Sequence, residues 1–253
     1  MDRGLRLVSW NVRWLVSPHS PQGIAKKARI QRALAAGKMV LLQETHWDEQ
    51  AAGIWGGLFP GTRVQYSVDR SGRQGRQACG VAVLILARYT LLSCCEVVPG
   101  CCIEARVCLR DTLEQERTVW TVQCMYFPPD SRGQDVGEYT QWLQQHGDGS
   151  FYAAGDLNLQ VHDPRCDAEV SDLERLQDAW HQVGARPVPS ALATRRGGGG
   201  QVTLDHWIVP VGLSFDCKVL RQWTGESDHA WLELLVGLNG GDSQRRCSPA
   251  ALD

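Results

Sequence analysis

Gly155-Asp156-Leu157-Asn158, preceded by the apolar run Phe151-Tyr152-Ala153-Ala154, decides how the rest of this 253-residue chain is read. The run has the look of a buried strand that loses side-chain bulk at a glycine and then presents an acid and an amide. A rigid strand end is a good mount for polar chemistry. Asp156 and Asn158 are two residues apart, so an extended backbone directs both to the same side. The acid accepts a proton; the amide offers both a donor and an acceptor. Alone, an Asp followed by an Asn is an ordinary turn former. Near the other end of the chain, however, Ser227-Asp228-His229 forms a second polar cluster, and further strand-end polar residues lie between them.

Upstream, Leu5 to Trp10 alternates like a strand and delivers Asn11. From Gln22 to Ala36, the residues Ile24, Ala28, Ile30, Leu34 and Ala35 define a helical face, with Lys26, Lys27 and Arg29 elsewhere and Gly37 as the stop. Met39-Val40-Leu41-Leu42 is a continuous apolar run ending in Gln43-Glu44-Thr45, as a strand covered on both faces reads. Trp47 to Leu58 is ambiguous. Val64 to Val68 and Gly80 to Leu86 read as strands around a glycine- and arginine-rich loop carrying Arg70, Arg73 and Arg76. Leu91 to Val98, Cys102 to Leu109 and Thr118 to Tyr126 predict an antiparallel meander, closed by Pro128-Pro129.

Downstream, Val136, Tyr139, Leu143 and His146 make a helical stripe. A second late helix is expected to start at the capping box Ser171-x-x-Glu174 and stop at Gly184. Residues 202–209 and 231–236 read as strands, and Gly197 to Gly200 as a flexible loop. Strand and helix in alternation, with polar strand ends, indicate an α/β architecture. One domain is expected over residues 1–237, followed by a frayed polar tail at 238–253.

Composition narrows the function classes. A net charge of −2 supplies no bulk basicity, so a polyanionic partner must be met by local patches. No secretory signal and no run of about 18 apolar residues is visible, which predicts an intracellular protein without a membrane span, nuclear if it acts on genomic DNA. The ten cysteines are expected to be reduced and mostly buried. A zinc site at Cys94, Cys95, Cys101 and Cys102 is the alternative, although the spacer usual within a ligand pair is missing.

The strand-end residues Asn11, Glu44, Tyr126, Asp156, Asn158, Asp205, Asp228 and His229 suggest one shared site. Clustered carboxylates raise one another's pKa and resist burial unless a cation joins them. Oxygen donors suit a hard ion, Mg²⁺ or Mn²⁺. Ser9-Trp10-Asn11-Val12, Gln43-Glu44-Thr45-His46, Tyr126-x-Pro128, Gly155-Asp156-Leu157-Asn158, Leu204-Asp205-His206 and Ser227-Asp228-His229 together resemble the endonuclease/exonuclease/phosphatase superfamily. The Gln43-Glu44-Thr45-His46 and Ala193-Thr194-Arg195-Arg196 patterns are most similar to endonuclease domains of non-LTR (LINE-type) retrotransposons, relatives of apurinic/apyrimidinic endonucleases.

The resemblance implies a four-layer α/β sandwich: two packed, mostly antiparallel sheets flanked by helices. It implies a metal-dependent phosphodiesterase that nicks DNA; the sequence is silent on oligomeric state, and a monomer is the working expectation. Carried over by residue, Glu44, Asn11 and Asp228 hold the metal, Asp156 activates water, and Asn158 donates to the phosphate. His229 stabilises the phosphate, Asp205 orients that imidazole, and Tyr126 approaches the scissile group. Arg195, Arg196, Arg13 and Arg73 are the expected DNA contacts. Arg13 departs from the pattern, since many repair-type members carry an acid there, which puts two-metal mechanisms in doubt. His206 is expected to be structural and His46 a loop histidine, with substrate contact as the alternative for His46. The alternative is a phosphomonoesterase or lipid phosphodiesterase of the same superfamily, although no Trp/Cys-Asp-Arg motif lies between Asp163 and Thr203. A non-catalytic binding module is disfavoured because every assigned catalytic position carries a competent residue.

Overall fold

The computed structural model describes residues 5–15, 17–68, 70, 79–109, 119–161, 164–188, 193–197, 200–213 and 217–236. The expected tail at 238–253 and the loop arginines Arg73 and Arg76 lie outside the described residues. In chain order the elements are β1 (Leu7–Asn11), α1 (Pro21–Ala35), β2 (Met39–Gln43), α2 (Glu49–Gly57), β3 (Thr62–Ser67), β4 (Val81–Leu86) and β5 (Tyr89–Val98). There follow β6 (Cys102–Leu109), β7 (Val119–Tyr126), α3 (Arg132–His146), β8 (Phe151–Asp156), α4 (Asp167–Gln182) and β9 (Ala185–Pro187). The last are β10 (Arg195–Gly197), β11 (Gly200–Val202), β12 (Asp205–Pro210), β13 (Cys217–Gln222) and β14 (Trp231–Val236).

Two six-stranded sheets form, in the orders β13-β14-β1-β2-β4-β3 and β5-β6-β7-β8-β12-β9. Each is antiparallel except for one parallel pair, β1 with β2 and β7 with β8. The expected α/β sandwich of two packed, mostly antiparallel sheets flanked by helices is therefore what the chain builds. Each parallel pair is connected through a helix, α1 or α3, as a parallel crossover requires. The carboxyl ends of these four strands lie where an α/β sheet presents its ligands.

Burial explains the continuous apolar runs. Leu7, Met39, Leu41, Val81 and Val83 face a core shared with Ala105, Val107, Val122 and Ala154 of the second sheet. Their neighbours Val8, Trp10, Val40 and Leu42 face the opposite way, into a cluster with Ile30 and Leu34 of α1 and Trp55 of α2. With both faces covered, alternation disappears from the sequence.

Several local expectations change. The ambiguous stretch is helix α2, capped by the Asp48 side chain accepting from Ala51 N. Helix α4 starts near Cys166, so Ser171 lies inside it; the acids Asp167 and Glu169 favour its first turn through the helix dipole. On α1, Ile24 is exposed while Lys26 is buried. Of the glycine tract, Gly197 pairs with Gly200 across β10 and β11, and residues 198–199 lie outside the described residues. Cys79, Cys101, Cys102, Cys108 and Cys124 are buried and unbridged, whereas Cys95 is exposed. Among the described residues, the only His/Cys/Asp/Glu group compact enough for a metal contains no cysteine, so nothing supports the zinc alternative.

Gly155 shows how tightly the central strands meet. A Cβ at this position would stand 1.7 Å from the backbone oxygen of Met125, on the parallel partner strand. Relief requires backbone movement between β7 and β8. Gly155→Ala is therefore expected to destabilise the protein by about 3 kcal/mol or more, the upper range for overpacking. Urea denaturation measures this; an unchanged midpoint would contradict the packing described.

Candidate active site

Residues far apart in sequence reach one pocket because four strands end together. Asn11 ends β1, Glu44 follows β2, Tyr126 ends β7 and Asp156 ends β8. Asp205 opens β12 directly opposite Asp156 in the ladder, and His229 precedes β14. The ligand-type atoms of Glu44, Asp156 and His229 all lie within 4.8 Å of one another.

Asn11 is the joint of this group. Its amide nitrogen donates to Glu44 Oε1 at 2.7 Å and to Asp156 Oδ2 at 2.9 Å. Its oxygen accepts from the backbone N–H of Arg13 at 2.9 Å, which fixes the amide's orientation. As placed, Asn11 thus offers the carboxylates a donor and spends its oxygen on the chain. Tyr126 is buried, and burial together with the Glu44 and Asp156 charges pushes its phenol far above the ordinary range. It stays protonated and hydrogen-bonds Glu44. Burial would also raise Glu44, but hydrogen bonds to His46 and Asn11 and the nearby His229 charge outweigh it and hold this carboxyl low.

Asp205 accepts at 2.8 Å from Nδ1 of His229, whose Nε2 stands 3.6 Å from Asp156 Oδ2. Burial alone would discharge this imidazole; the two aspartates raise its pKa to about 9, so it is a cation at neutral pH. Burial first, then the Asp205 and Glu44 charges, raises Asp156 to about 7. Asp156 Oδ1 accepts from the backbone N–H of Asn158 at 2.9 Å.

Asn158 departs from the extended geometry expected for it. Its φ is +50°, and its side-chain amide donates to Phe127 O at 3.0 Å. Behind it, Arg132 donates to Asn158 O at 2.8 Å and is held by Asp172 at 2.9 Å. Asp228 stands outside the compact trio. Its Oδ2 is shared by Arg13 Nη1 at 2.7 Å and Arg195 Nε at 3.2 Å, while Oδ1 is buried with no hydrogen-bond partner. Arg196 lies on the other side of the ribbon, its guanidinium 3.9 Å from the Trp223 ring centroid. Backbone bonds from Arg196 N to Asp228 O and from Ala230 N to Thr194 O fasten the ribbon to the His229 segment. His206 is buried and reaches Leu159 O at 3.3 Å.

Three participants escaped the sequence reading. His46, expected to be a loop histidine, has Nε2 3.7 Å from Glu44 Oε2. Trp14 stacks on that imidazole with centroids 4.8 Å apart. Lys26 is buried beneath the Arg13–Trp14 turn and donates to three backbone oxygens: Val12, Arg13 and Trp14. The non-glycine residues with positive φ among those described are Arg13, Trp14, Glu44, His46 and Asn158. All border this pocket, and such strain collects at functional sites. A tryptophan directly after the Asn11–Val12–Arg13 turn was the one available signal.

The donor set fits a hard divalent cation. Two carboxylates crowd together, with the protonated His229 beside them as a counter-charge and not a ligand; among the described residues no sulfur joins the group and the buried Oδ1 of Asp228 lacks a partner. A cation relieves the carboxylate repulsion that this geometry creates.

Asp205→Asn should lower the His229 pKa from about 9, while the Asp156 charge continues to hold part of the rise. Imidazole NMR titration of the metal-free protein reads this directly, and an unshifted pKa would contradict the pairing. Because the folded state holds the His229 proton more tightly, its stabilisation is complete below pH 6.5 and is lost as pH rises through 9. The raised Asp156 acts in the same direction between 3.8 and about 7. The metal-free protein should therefore melt at a lower temperature at pH 9 than at pH 6.5.

The Endonuclease/Exonuclease/phosphatase family profile matches residues 8–229. No curated protein matches the sequence significantly. Among solved structures, the endonuclease domain of TRAS1, a telomere-specific non-LTR retrotransposon, aligns with a TM-score of 0.65 at 14% identity, covering 93% of this chain and 99% of that one. An AP endonuclease from Leishmania major gives 0.65 at 13% identity, over 91% and 86% of the two chains. A mannosyl-6-phosphatase from Bacteroides thetaiotaomicron VPI-5482 gives 0.57 at 13%, over 92% and 99%. At these identities the neighbours show the fold alone. The profile spans most of the sequence, including all six motifs, and this chain therefore belongs to the endonuclease/exonuclease/phosphatase family.

Proposed function

We propose that this protein is a divalent-metal-dependent endonuclease that nicks DNA by attack of water on a backbone phosphorus. The observation that carries the reading is the unbroken polar chain Asp205–His229–Asp156–Asn11–Glu44, each link within 3.6 Å, flanked by Arg13 and Arg195. Phosphate-backbone contact by rim arginines suits a phosphodiester polymer. The retrotransposon endonuclease domain, the AP endonuclease and the sugar phosphatase share this fold, so the choice of DNA rests on the rim arginines.

In this mechanism Asp156, with a pKa raised to about 7, takes the proton of the attacking water. The Asn158 N–H and the Asn11 amide aim its two oxygens. His229, kept cationic by Asp205, stabilises the charge that grows on a non-bridging phosphate oxygen. Glu44 would hold the metal, with Oδ1 of Asp228 as the candidate second ligand. Mg²⁺ or Mn²⁺ there supplies Lewis-acid stabilisation of the phosphoryl oxygens. Tyr126 remains a neutral donor beside Glu44. Arg13 and Arg195 are the phosphate contacts of the rim, whereas Arg196, turned onto Trp223, contributes at a distance.

Supercoiled-plasmid nicking tests this, set beside phosphate release from inositol phosphates and sugar phosphates. Nicking that needs Mg²⁺ or Mn²⁺ and stops with a chelator supports the proposal; release of phosphate with the plasmid intact would replace it with the phosphatase reading. Glu44→Ala and His229→Ala should each lower kcat by about 100- to 10,000-fold. Arg195→Ala should weaken DNA binding and reduce the slope of log affinity against log salt by about 1. An unchanged slope would remove Arg195 from the interface.

A further inference from the structure

Trp14 is the most exposed large apolar side chain among those described, at 57%. It is also held in a costly backbone conformation, φ +74°, which a bulky residue rarely adopts. The fold enforces this. Trp14 N donates to Glu44 O at 2.8 Å, and buried Lys26 clamps the oxygens of Val12, Arg13 and Trp14 at 2.7, 3.2 and 3.0 Å. One face of the indole lies on His46, nearly parallel at 12°, and His46 in turn is 3.7 Å from Glu44. The result is a rigid aromatic shelf, one ring away from the catalytic carboxylates, with its remaining surface open to solvent. Arg13, the preceding residue, points its exposed guanidinium at Asp228 on the same rim.

A flat π surface beside cationic groups is what a base-bearing strand binds, because every base has a π face and the contact tolerates sequence. An inositol or sugar phosphate offers no such face. We propose that Trp14 is the stacking platform for the nucleobase adjacent to the phosphate that His229 contacts. This rests on the nucleic-acid reading above and sharpens its substrate class. Stacking needs a base face not already covered by a neighbour, so the bound strand presents an unpaired or splayed base at this point. Trp14 is a positioning residue: it holds the nucleotide in register and touches none of the reacting atoms.

The test compares wild type, Trp14→Phe and Trp14→Gly with Ca²⁺ in place of Mg²⁺ to suppress turnover. Two fluorescently labelled ligands are titrated: a single-stranded oligodeoxynucleotide and a strand of the same length built from abasic tetrahydrofuran residues. Trp14→Gly should lose about 5- to 100-fold in affinity for the base-bearing strand, the range for one base stack. Its affinity for the abasic strand should be unchanged, and Trp14→Phe should keep most of the wild-type discrimination. Glycine relieves the positive φ, so Trp14→Gly should melt at or above the wild-type temperature. Under Mg²⁺, its KM for the base-bearing strand should rise while kcat is retained. Equal binding of the base-bearing strand by wild type and Trp14→Gly, or equal loss on both ligands, overturns the platform while leaving the endonuclease reading intact. Wild type that binds neither strand overturns the platform, and supercoiled plasmid left intact under Mg²⁺ overturns the nucleic-acid reading and the platform with it.

Discussion

Two carboxylates from different sheets are held side by side by one amide, and the site is arranged around that contact. Asn11, on the first sheet, donates to Glu44 on its own sheet and to Asp156 across the sandwich, at 2.7 and 2.9 Å. Asp156 is buried and Glu44 half-buried, so their mutual repulsion is only partly screened. The amide offsets part of that cost; the His229 cation, anchored by Asp205, offsets more. The balance is visible in the pKa values. Glu44 is held low by its partners, while Asp156, deeper and closer to Asp205, is raised. One fold thus prepares a carboxylate to carry charge and another to accept a proton, by environment alone.

The scaffold bears the cost of this arrangement at its strand ends. Among the described residues, the five non-glycine positive-φ positions fall in the turns after β1, β2 and β8, where the chain must reverse while aiming a polar group into the pocket. Each turn has its own restraint. Lys26 fills the first from below, Thr45 N bonds Gly80 O in the second, and Arg132 grips the Asn158 carbonyl in the third. Lys26 is the most telling, because a buried ammonium is itself expensive and its pKa is lowered by that burial. Three carbonyl oxygens replace its lost water.

Much of this was legible in the chain before any coordinates. Met39–Leu42 and residues 81–86 announced themselves as covered strands, and six short motifs converged on the family and the pocket. What stayed hidden has physical reasons. β13 is an edge strand whose alternation is broken by charges, and β9 is three residues ending in proline; neither carries an apolar period. The β10–β11 ribbon is placed by backbone bonds to the segment 228–230, a contact no side-chain pattern records. Lys26 was set on the polar face because periodicity weighs charge as solvated and cannot see three carbonyls waiting beneath a strained turn. Asn158 was expected on an extended backbone, but the chain turns into the left-handed region immediately after β8. His46 looked like a loop residue because its two contacts, Glu44 and Trp14, depend on that same turn geometry.

In the proposed mechanism Glu44 holds one hard cation, while Asp156 beside it stays free to take the proton of water. Crystals soaked in Mn²⁺ and measured near the manganese absorption edge test it most directly. The account predicts one strong anomalous peak at an oxygen-coordination distance, about 2.0–2.2 Å, from a Glu44 carboxylate oxygen. Anomalous density that avoids Glu44, or that gathers at the cysteine sulfurs instead, would contradict it.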